Sequence, residues 1–325
     1  MSTDADVHRP SSTVVVAVLT YRRPELLARA VPVLLEQAAA SPEPARVLVV
    51  DNDPAGSARP VVERWVGAGL AYAHEPRPGI AAARNRALDE AGDAEAIVFI
   101  DDDEVPREDW LARLVRAWRA WGCTAVAGPA VSAPELPLDP WVRESRMFER
   151  RRRPTGTALR GAATNNLLLD LRRLRALGVR FDDAFGLTGG SDTMLTHDLV
   201  ARGEPLRWCD EAQVVASVPA VRATRRYVLR RNLRTGTTWS RVEVKLARGP
   251  VRVLRRAELV ARGVLRVARG LAAAVRGRLG RSLGHRARGE CDVASGVGMV
   301  LGALGYGYVE YARPRGAGSG ASGAG

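Results

Sequence analysis

The chain has 325 residues, of which 46% are hydrophobic, and its formal net charge at pH 7 is +13. This length allows one packed domain of about 200 to 250 residues with an appendage, and it argues against two unrelated full-size domains. The charge is uneven, because residues 219–290 hold 20 Arg and Lys but only three acidic residues. Nucleic acid, a membrane surface or an anionic substrate must therefore be considered as a partner of this segment.

The cysteines and the N-terminal residues predict a cytoplasmic protein. Cys123, Cys209 and Cys291 are scattered, odd in number and without the CxxC spacing of zinc sites. A reducing compartment fits this usage better than a disulfide framework does. The first residues, MSTDADVHRPSS, contain acids where a secretory signal would have a basic region, so we expect no such signal.

From Thr13 onward, short β-branched runs alternate with amphipathic stretches, which is typical of βα units that build a mostly parallel sheet. The strand-like runs are VVVAVL, ARVLVV, LAYAHE, EAIVFI and CTAVAGP. Helical patterns between them begin at Pro24, Ser57, Gly79 and Pro106. We further predict helices over 166–176 and 191–202, a strand within RWCDEAQVVASV, and basic helices from Arg222 onward.

Polar residues follow three of these strand-like runs. They are TYRR at 20–23, DND at 51–53 and DDDE at 101–104. In an open α/β sheet the ligand binds outside the carboxyl ends of the strands, so these clusters should meet in one crevice. Adjacent carboxylates repel each other unless a cation neutralises them, and Mg²⁺ or Mn²⁺ with a nucleotide diphosphate fits this need. A solvated helix N-terminus, where acids are also favoured, is the alternative.

Four segments carry a family resemblance: VVVAVLTYRRPELLARAVPVL, VLVVDNDP, EPRPGIAAARNRALDEA and IVFIDDDEVPREDWLARL. Together they resemble the nucleotide-binding half of glycosyltransferase family 2. The likeness continues through TNNLLLDLRRL, RFDDAFGLTGGSDT and WCDEAQVV, so that it covers about residues 13–235, and it is to bacterial exopolysaccharide enzymes of the succinoglycan glucosyltransferase kind. It implies a GT-A fold, a Rossmann-like α/β architecture with a mixed, mostly parallel sheet flanked by helices.

The resemblance, together with the composition, implies five segments. They are a flexible N-terminus (1–12), a nucleotide-sugar-binding half (13–128), an acceptor-binding half (129–235), a basic helical membrane-associating extension (236–312) and a disordered tail (313–325). The implied activity is the inverting transfer of a sugar from a nucleotide-diphosphate donor, with UDP-hexose favoured, to a hydroxyl of a glycan or lipid-linked acceptor.

The family motifs also imply roles for individual donor-side residues. Ile100-Asp101-Asp102-Asp103 matches the hhDxDD motif, which implies Asp101 beside the ribose or the metal, and Asp103 on the cation that bridges the phosphates. By the same matching, Asp51 contacts the nucleoside, and Arg84 and Asn85 face the sugar nucleotide. The residues that match the loop lining the base are Thr20, Tyr21 and Arg22. A helix cap remains the alternative for Asp51 or Asp53, and a structural ion pair is the alternative for Arg84.

On the acceptor side, the motif Gly189-Gly190-Ser191-Asp192-Thr193 implies Asp192 as the catalytic base. Helix capping is its alternative role. Ser191 departs from the family, since many members carry glutamate there, and residues 213–222 lack the histidine that some relatives use as a third metal ligand. Asn166 and Trp208 are weak acceptor-side candidates, whereas we expect His197 to be a packing or surface residue.

The basic segment can form an amphipathic helix. Its arginine stripe comprises Arg248, Arg252, Arg255, Arg262, Arg266, Arg269 and Arg276, and the other side offers Leu254, Val264, Leu265, Ala268 and Leu271. Such a helix can lie on an anionic membrane surface, although an ordinary solvated face is the alternative. The uncharged run 293–309 holds five glycines and is short for a membrane span, so we expect it to be interfacial or packed on protein.

Three other functions compete with this interpretation. A nucleotidyltransferase would have a Gly-rich first loop with a lysine, which TYRRPELL lacks. An RNA-binding protein could use the arginines, but aromatic residues make up only 5% of the chain and do not interleave with the basic stretch, so we expect no nucleic-acid partner. A catalytically impaired membrane-bound scaffold is conceivable because of Ser191.

Overall fold

The computed structural model describes residues 13–149 and 152–307. The predicted flexible N-terminus (1–12), the predicted tail (313–325) and the end of the predicted extension (308–312) lie outside these residues. The strands are β1 (Val14–Thr20), β2 (Ala45–Asp51), β3 (Leu70–His74), β4 (Ala96–Asp101), β5 (Glu104–Pro106), β6 (Ala125–Ala127), β7 (Ala130–Pro134), β8 (Asn166–Asp170), β9 (Leu206–Trp208) and β10 (Val214–Val218). The helices are α1 (Pro24–Ala39), α2 (Arg59–Val62), α3 (Ile80–Glu90), α4 (Trp110–Trp121), α5 (Pro140–Glu144), α6 (Leu171–Leu177), α7 (Ser191–Ala201), α8 (Arg225–Leu246), α9 (Val251–Leu279) and α10 (Leu283–Ala303).

A seven-stranded sheet in the order β3-β2-β1-β4-β8-β6-β9 forms the centre of the α/β part. Strand β8 alone runs antiparallel to its neighbours β4 and β6, so this sheet is mostly parallel, as predicted. A second sheet of β5, β10 and β7 lies beside it. Strands β6, β8 and β9 join the first four strands, which means that the predicted halves on either side of residue 128 share one sheet.

Both faces of the large sheet are buried, because its strands are nearly continuous apolar runs. On one face Val16 and Val98 pack with Leu27 of α1 and Trp110 of α4. On the other face side chains of α3, α6 and α7 cover the sheet, and Leu195 lies in that cluster. This three-layer arrangement leaves the carboxyl ends of the strands open at one edge.

Two predicted helices begin later than expected. The segment 166–176, predicted to be a helix, is strand β8 followed by α6. Asn-Leu-Leu-Leu-Asp is buried between β4 and β6, and hydrogen bonding to these two strands outweighs the helix propensity of leucine. The helix expected from Pro106 begins at Trp110, since 104–106 form strand β5. The predicted strand in RWCDEAQVVASV is divided into β9 and β10 by a turn. Helix α7 confirms the prediction for 191–202.

Helices α8, α9 and α10 form a helical extension, and the predicted boundary at residue 235 falls inside α8. Glycines at seven-residue spacing, Gly263, Gly270 and Gly277, place the backbone of α9 against α10. A Cβ at Gly270 would lie 2.7 Å from the carbonyl oxygen of Gly289. The backbones of α9 and α10 are therefore in direct contact. Only glycine, which has no Cβ, fits at these positions.

The uncharged run that begins at residue 293 belongs mainly to α10. Residues 293–303 of the run are packed on protein, because α10 contacts both α8 and α9, whereas Leu304 and Tyr306 are exposed. Within 13–149 and 152–307, no helix is long and apolar enough to cross a bilayer.

The glycine contact generates a prediction for stability. Replacing Gly296 with alanine should lower the free energy of unfolding of the helical extension by about 1–3 kcal/mol, because the new Cβ meets backbone atoms that cannot move aside. The Cβ would lie 2.7 Å from the carbonyl oxygen of Gly263 and 2.9 Å from the amide nitrogen of Val267. Urea denaturation and hydrogen exchange of α9 amides measure the effect.

Ala272→Leu is the control, since it adds a larger group at an exposed position of α9. Equal stability of Gly296→Ala and the wild type would contradict the account of this contact.

Candidate active site

The polar clusters that follow β1, β2 and β4 meet at one edge of the large sheet. In the strand register, Thr20 lies opposite Asp51 and Leu19 lies opposite Asp101. Asn166, the first residue of antiparallel β8, pairs with Ile100 at the same edge. The structure therefore brings the three predicted clusters together in one crevice.

Asp102 is a buried residue that fixes the loop after β1. Its carboxylate accepts hydrogen bonds from the Thr20 hydroxyl at 2.8 Å and from the Arg23 guanidinium at 2.9 Å. Desolvation raises the pKa of Asp102, and Arg23 opposes this shift. Thr20, predicted to line the base, is 4% exposed and holds Asp102 in place. Asp102 therefore positions its neighbours rather than facing the crevice.

Asp103 is held by two arginines that sequence reasoning did not single out. Arg222 donates to its Oδ2 at 2.9 Å, and the Arg23 guanidinium lies 3.5 Å from the same oxygen. Arg23 belongs to the TYRR segment, in which Thr20, Tyr21 and Arg22 were the predicted site residues. Arg222 is 119 positions away from Asp103 in the sequence. No local pattern links Arg222 with the acids. It lies at the end of the stretch in which some relatives place a histidine.

Asp101 projects into the crevice at the end of β4 with access to solvent. The surrounding protein and the charges of nearby side chains determine the pKa of Asp101. Desolvation is the largest cause, and the carboxylates of Asp103, Asp102 and Asp192 add to it. Together they raise the pKa of Asp101 to about 6, although Arg84 opposes the shift. Asp101 is thus surrounded by negative charge that the neighbouring arginines only partly offset.

Glu104 adds a further carboxylate beneath this cluster. It is 3% exposed, and its Oε1 accepts a hydrogen bond from Asn165 at 2.7 Å. Its Oε2 is buried and has no hydrogen-bond partner among the described residues. Desolvation, followed by the charge of Asp101, raises the pKa of Glu104 well above its usual range.

These carboxylates fit a divalent cation that binds together with a nucleotide. Within the described part of the chain, no group of three or more His, Cys, Asp and Glu side chains is arranged to hold a metal by itself. Mg²⁺ and Mn²⁺, however, take one or two carboxylates and complete their shells with phosphate oxygens and water. Asp101 and Asp103 supply two carboxylates for such a cation.

The predicted base-binding loop contains one exposed and strained residue. Arg22 has a φ of 54°, its Nε donates to Asp53 at 3.2 Å, and its guanidinium lies 5.3 Å from the centre of the Tyr21 ring. Asp51 is fully buried and accepts hydrogen bonds from two backbone amides and from the Tyr72 hydroxyl. Asp51 therefore holds the loop after β2 but is not a helix cap, since the N-cap of α2 is Ala58 and has no side-chain cap. Tyr21 and Arg22 are the members of this group that reach the surface.

Arg84 and Asn85 have different environments on α3. Arg84 is 8% exposed and donates to the Ser191 hydroxyl at 2.6 Å. No carboxylate among the described residues lies within salt-bridge distance of its guanidinium, so the structural ion pair that was its alternative is not formed. Asn85, expected to face the donor, instead makes two hydrogen bonds with the backbone of Phe181 and tethers that residue to α3.

Asp192 lies in the first turn of α7 and faces the acid cluster closely enough to contribute to the raised pKa of Asp101. Its Oδ1 accepts a hydrogen bond from the Thr193 amide at 2.7 Å. The N-cap of the helix is Gly190, without a side-chain cap. Neither Ser191 nor Asp192 occupies the capping position, so the Asp192 carboxylate is not used as a helix cap.

The two weak acceptor-side candidates behave differently from each other. Asn166 is 1% exposed, and its amide bonds Trp110 at 2.9 Å, Ala212 at 2.8 Å and Pro129 at 3.2 Å, so that it belongs to the core and not to an acceptor surface. Trp208 is half-buried, and its indole nitrogen donates to Asp210 at 3.1 Å.

His197 lies on the side of α7 away from the crevice, 3.6 Å from Glu243 of α8, as expected for a packing residue.

The chain is similar to known proteins in sequence and in fold. The sequence profile described as "Glycosyl transferase family 2" matches residues 15–171. The succinoglycan biosynthesis protein ExoM of Rhizobium meliloti (strain 1021) is 35% identical over 241 residues, which cover 72% of this chain and 76% of that protein.

Two solved structures share the fold. The mannosyltransferase PcManGT from Pyrobaculum calidifontis, determined in complex with GDP-Man and Mn²⁺, matches with a TM-score of 0.62 at 20% identity, over 90% of this chain and 87% of that one. S. aureus TarS 1-349 matches with a TM-score of 0.50 at 12% identity, over 86% of this chain and 90% of its own. These similarities confirm the predicted GT-A fold class, and they are evidence for the fold alone.

The buried position of Asn166 generates a second prediction. Asn166→Ala should lower the free energy of unfolding by roughly 3 kcal/mol, because three buried polar groups lose their partner. Chemical denaturation measures the loss. The Michaelis constant for the acceptor should stay unchanged in the folded variant.

Asn165→Ala is the matched control, since it removes one half-buried hydrogen bond and should cost less. If Asn166→Ala has wild-type stability and a raised Michaelis constant for the acceptor, Asn166 belongs to the acceptor site and the prediction is wrong.

Proposed function

Because the chain belongs to glycosyl transferase family 2, we propose that it transfers a sugar from a nucleotide-diphosphate donor to a hydroxyl of a glycan or lipid-linked acceptor, with inversion at the anomeric carbon. A UDP-hexose is the donor that we propose. The observation that carries the proposal is the meeting of Asp101, Asp103 and Asp192 at one edge of the sheet, with Arg84 beside them.

On the donor side, charge complementarity supports the assignment. Asp101 and Asp103 would hold a divalent cation, Mg²⁺ or Mn²⁺, which supplies positive charge against the leaving diphosphate. The likeness in fold to a mannosyltransferase determined with GDP-Man and Mn²⁺ is consistent with this. Arg84 lacks an acidic partner at salt-bridge distance among the described residues, so its guanidinium is suited to donate hydrogen bonds to phosphate oxygens. Tyr21 and Arg22, which reach the surface of the loop after β1, are the proposed contacts of the nucleoside.

On the acceptor side, Asp192 is the proposed general base. Its Oδ2 receives no hydrogen bond within the described residues, since both bonds from Thr193 go to Oδ1. Oδ2 would accept the proton of the acceptor hydroxyl as that oxygen bonds to the anomeric carbon and the bond from this carbon to the diphosphate breaks. Attack from the face opposite the leaving group produces inversion.

The scaffold alternative rests on Ser191 in place of glutamate. Ser191 is fully buried, and its hydroxyl accepts a hydrogen bond from Arg84, so the position keeps a link to the donor-side arginine without an acidic group. Asp192 keeps its carboxylate. The substitution therefore changes the partner of Arg84 and leaves the proposed base in place.

We further propose that α9 attaches the protein to an anionic membrane surface on the inner face of the cell membrane. The side of α9 opposite its glycine contact is apolar and exposed, and its large residues are Val253, Leu254, Val264, Leu265, Leu271, Val275 and Leu279. Arginines such as Arg262 and Arg269 border this side. Insertion of the apolar side with arginines at the headgroups fits both features. An RNA-binding helix would instead expose arginines across that side.

A nucleotide-binding experiment tests the donor site. Thermal-shift and calorimetric titrations with UDP, GDP and dTDP, each with and without Mn²⁺, should find metal-dependent binding of one nucleotide, with UDP expected. Asp103→Asn should abolish the metal-dependent part, because a carboxylate ligand of the cation is lost.

Asp192→Asn is the matched variant on the acceptor side. It should bind the nucleotide as the wild type does and lose at least about a hundredfold in transfer rate, because the base is removed. If no nucleotide binds under any condition, the transferase proposal fails and the scaffold alternative takes its place.

A vesicle experiment tests the membrane surface. Val264→Asp/Leu271→Asp should reduce co-sedimentation with phosphatidylglycerol vesicles at least tenfold, because two apolar side chains are replaced by charges of the wrong sign. Zwitterionic vesicles should bind the wild type weakly.

The control is Val66→Asp/Leu136→Asp, which makes the same changes at exposed apolar residues outside the helical extension. If both pairs of substitutions have the same effect, or if the wild type dimerises through α9 without binding vesicles, the membrane assignment is wrong.

A further inference from the structure

A cavity of about 310 Å³ lies where α8, the start of α9 and the end of α10 meet the short turn Asp183–Phe185. Phe185 and Val244 supply an apolar wall. Four cationic side chains line the cavity: Arg241, Lys245, Arg252 and Arg256. Such a combination suits a ligand with both an anionic group and an apolar part.

The positive charge of this cavity is poorly balanced. Lys245 forms an ion pair with Asp182. Arg241 donates to the Thr188 hydroxyl at 2.6 Å, and Arg252 donates to the carbonyl oxygen of Ala247 at 3.1 Å, so that both bind neutral acceptors.

Arg256 has no hydrogen-bond or carboxylate partner among the described residues. Three guanidinium groups therefore lack an acidic partner within the described residues. Burial lowers the pKa of Arg241, which Asp182 opposes, so an anion beside this guanidinium would offset the effect of burial.

The wall of the cavity adjoins the loop that carries the proposed base. Arg241 binds Thr188, and its guanidinium lies 4.9 Å from the centre of the Phe185 ring. A Cβ at Gly190, the N-cap of α7, would lie 3.6 Å from Cδ1 of Phe185. Asp192 follows two residues later. The cavity thus lies on the acceptor side of the crevice, and α9, whose first turns line it, carries the exposed apolar side outward.

We propose that this cavity binds the phosphate or diphosphate group of an amphiphilic acceptor, with Arg241, Lys245, Arg252 and Arg256 as the cationic ligands. The guanidinium groups match phosphate oxygens in charge and geometry, and Phe185 and Val244 contact the first apolar atoms beyond the phosphate. The site is separate from the acid cluster that takes the donor. The assignment of the ligand to the acceptor rests on the proposed function, because it uses the position of Asp192.

The test is calorimetric titration of the full chain in metal-free buffer with farnesyl diphosphate and with inorganic pyrophosphate. Without a divalent cation, the carboxylates of Asp101 and Asp103 repel these anionic probes from the donor site. Arg252→Gln/Arg256→Gln should weaken farnesyl diphosphate binding at least about tenfold, because two charge-assisted contacts are lost. Inorganic pyrophosphate should bind the wild type more weakly than farnesyl diphosphate does, since it leaves the apolar wall uncovered.

Arg276→Gln/Arg278→Gln is the matched control. It removes the same charge from exposed positions of the same helix, outside the cavity, and should change the affinity less than twofold. In transfer assays, the Arg252→Gln/Arg256→Gln variant should raise the Michaelis constant for a diphosphate-bearing acceptor and leave that for the donor unchanged.

Three outcomes would overturn the proposal. They are the absence of diphosphate binding, equal weakening in both double variants, and weaker binding to phosphatidylglycerol vesicles in the cavity variant with unchanged affinity for farnesyl diphosphate. The last outcome would assign the cavity to a bilayer headgroup. Failure here is distinguishable from failure of the transferase assignment, because metal-dependent nucleotide binding is measured separately and does not use these arginines.

Discussion

The mutual repulsion of four consecutive carboxylates at the end of one buried strand is the constraint on which the arrangement of the site depends. The acids run from Asp101, the last residue of β4, to Glu104, the first residue of β5, and the next basic residue in the sequence is Arg107. The fold supplies the compensation from elsewhere: Arg23 from the loop after β1, and Arg222 from the segment that leads into α8. Arg84 of α3 completes the set and opposes the raised pKa of Asp101. Through these arginines, the acid cluster connects the first strand, the third helix and the helical extension.

Much of the α/β part could be predicted from the sequence, because the buried strands of a parallel sheet are nearly continuous apolar runs. The runs VVVAVL, ARVLVV and EAIVFI are strands β1, β2 and β4, and the polar residues after them lie where strand direction requires. The failure at 166–170 has a physical cause. Leucine favours helices in isolation, and only the tertiary position between β4 and β6 makes Asn-Leu-Leu-Leu-Asp a strand.

The site was harder to predict than the fold, since a motif identifies a residue type and not its surroundings. Asp51, Asn85 and Asn166 lie at or near the predicted edge, yet their polar atoms are consumed by the backbone or by buried partners. Long-range pairs such as Arg222 with Asp103 leave no local pattern at all. Of the basic residues that line the α8–α9 cavity, only Arg252 belongs to the predicted arginine stripe. The packing of the helices, which no spacing along the chain reveals, brings Arg241, Lys245 and Arg256 beside it.

Because of the glycine contact with α10, the two sides of α9 differ in how well they tolerate substitution. The inner side tolerates almost no change, because backbone meets backbone there and even a methyl group has no room. The outer side has no neighbour in the described chain, so its residues can be exchanged without altering how the helices pack. Substitutions on the outer side can therefore change which surface the protein contacts, whereas the inner contact keeps the position of α9 against α10 fixed.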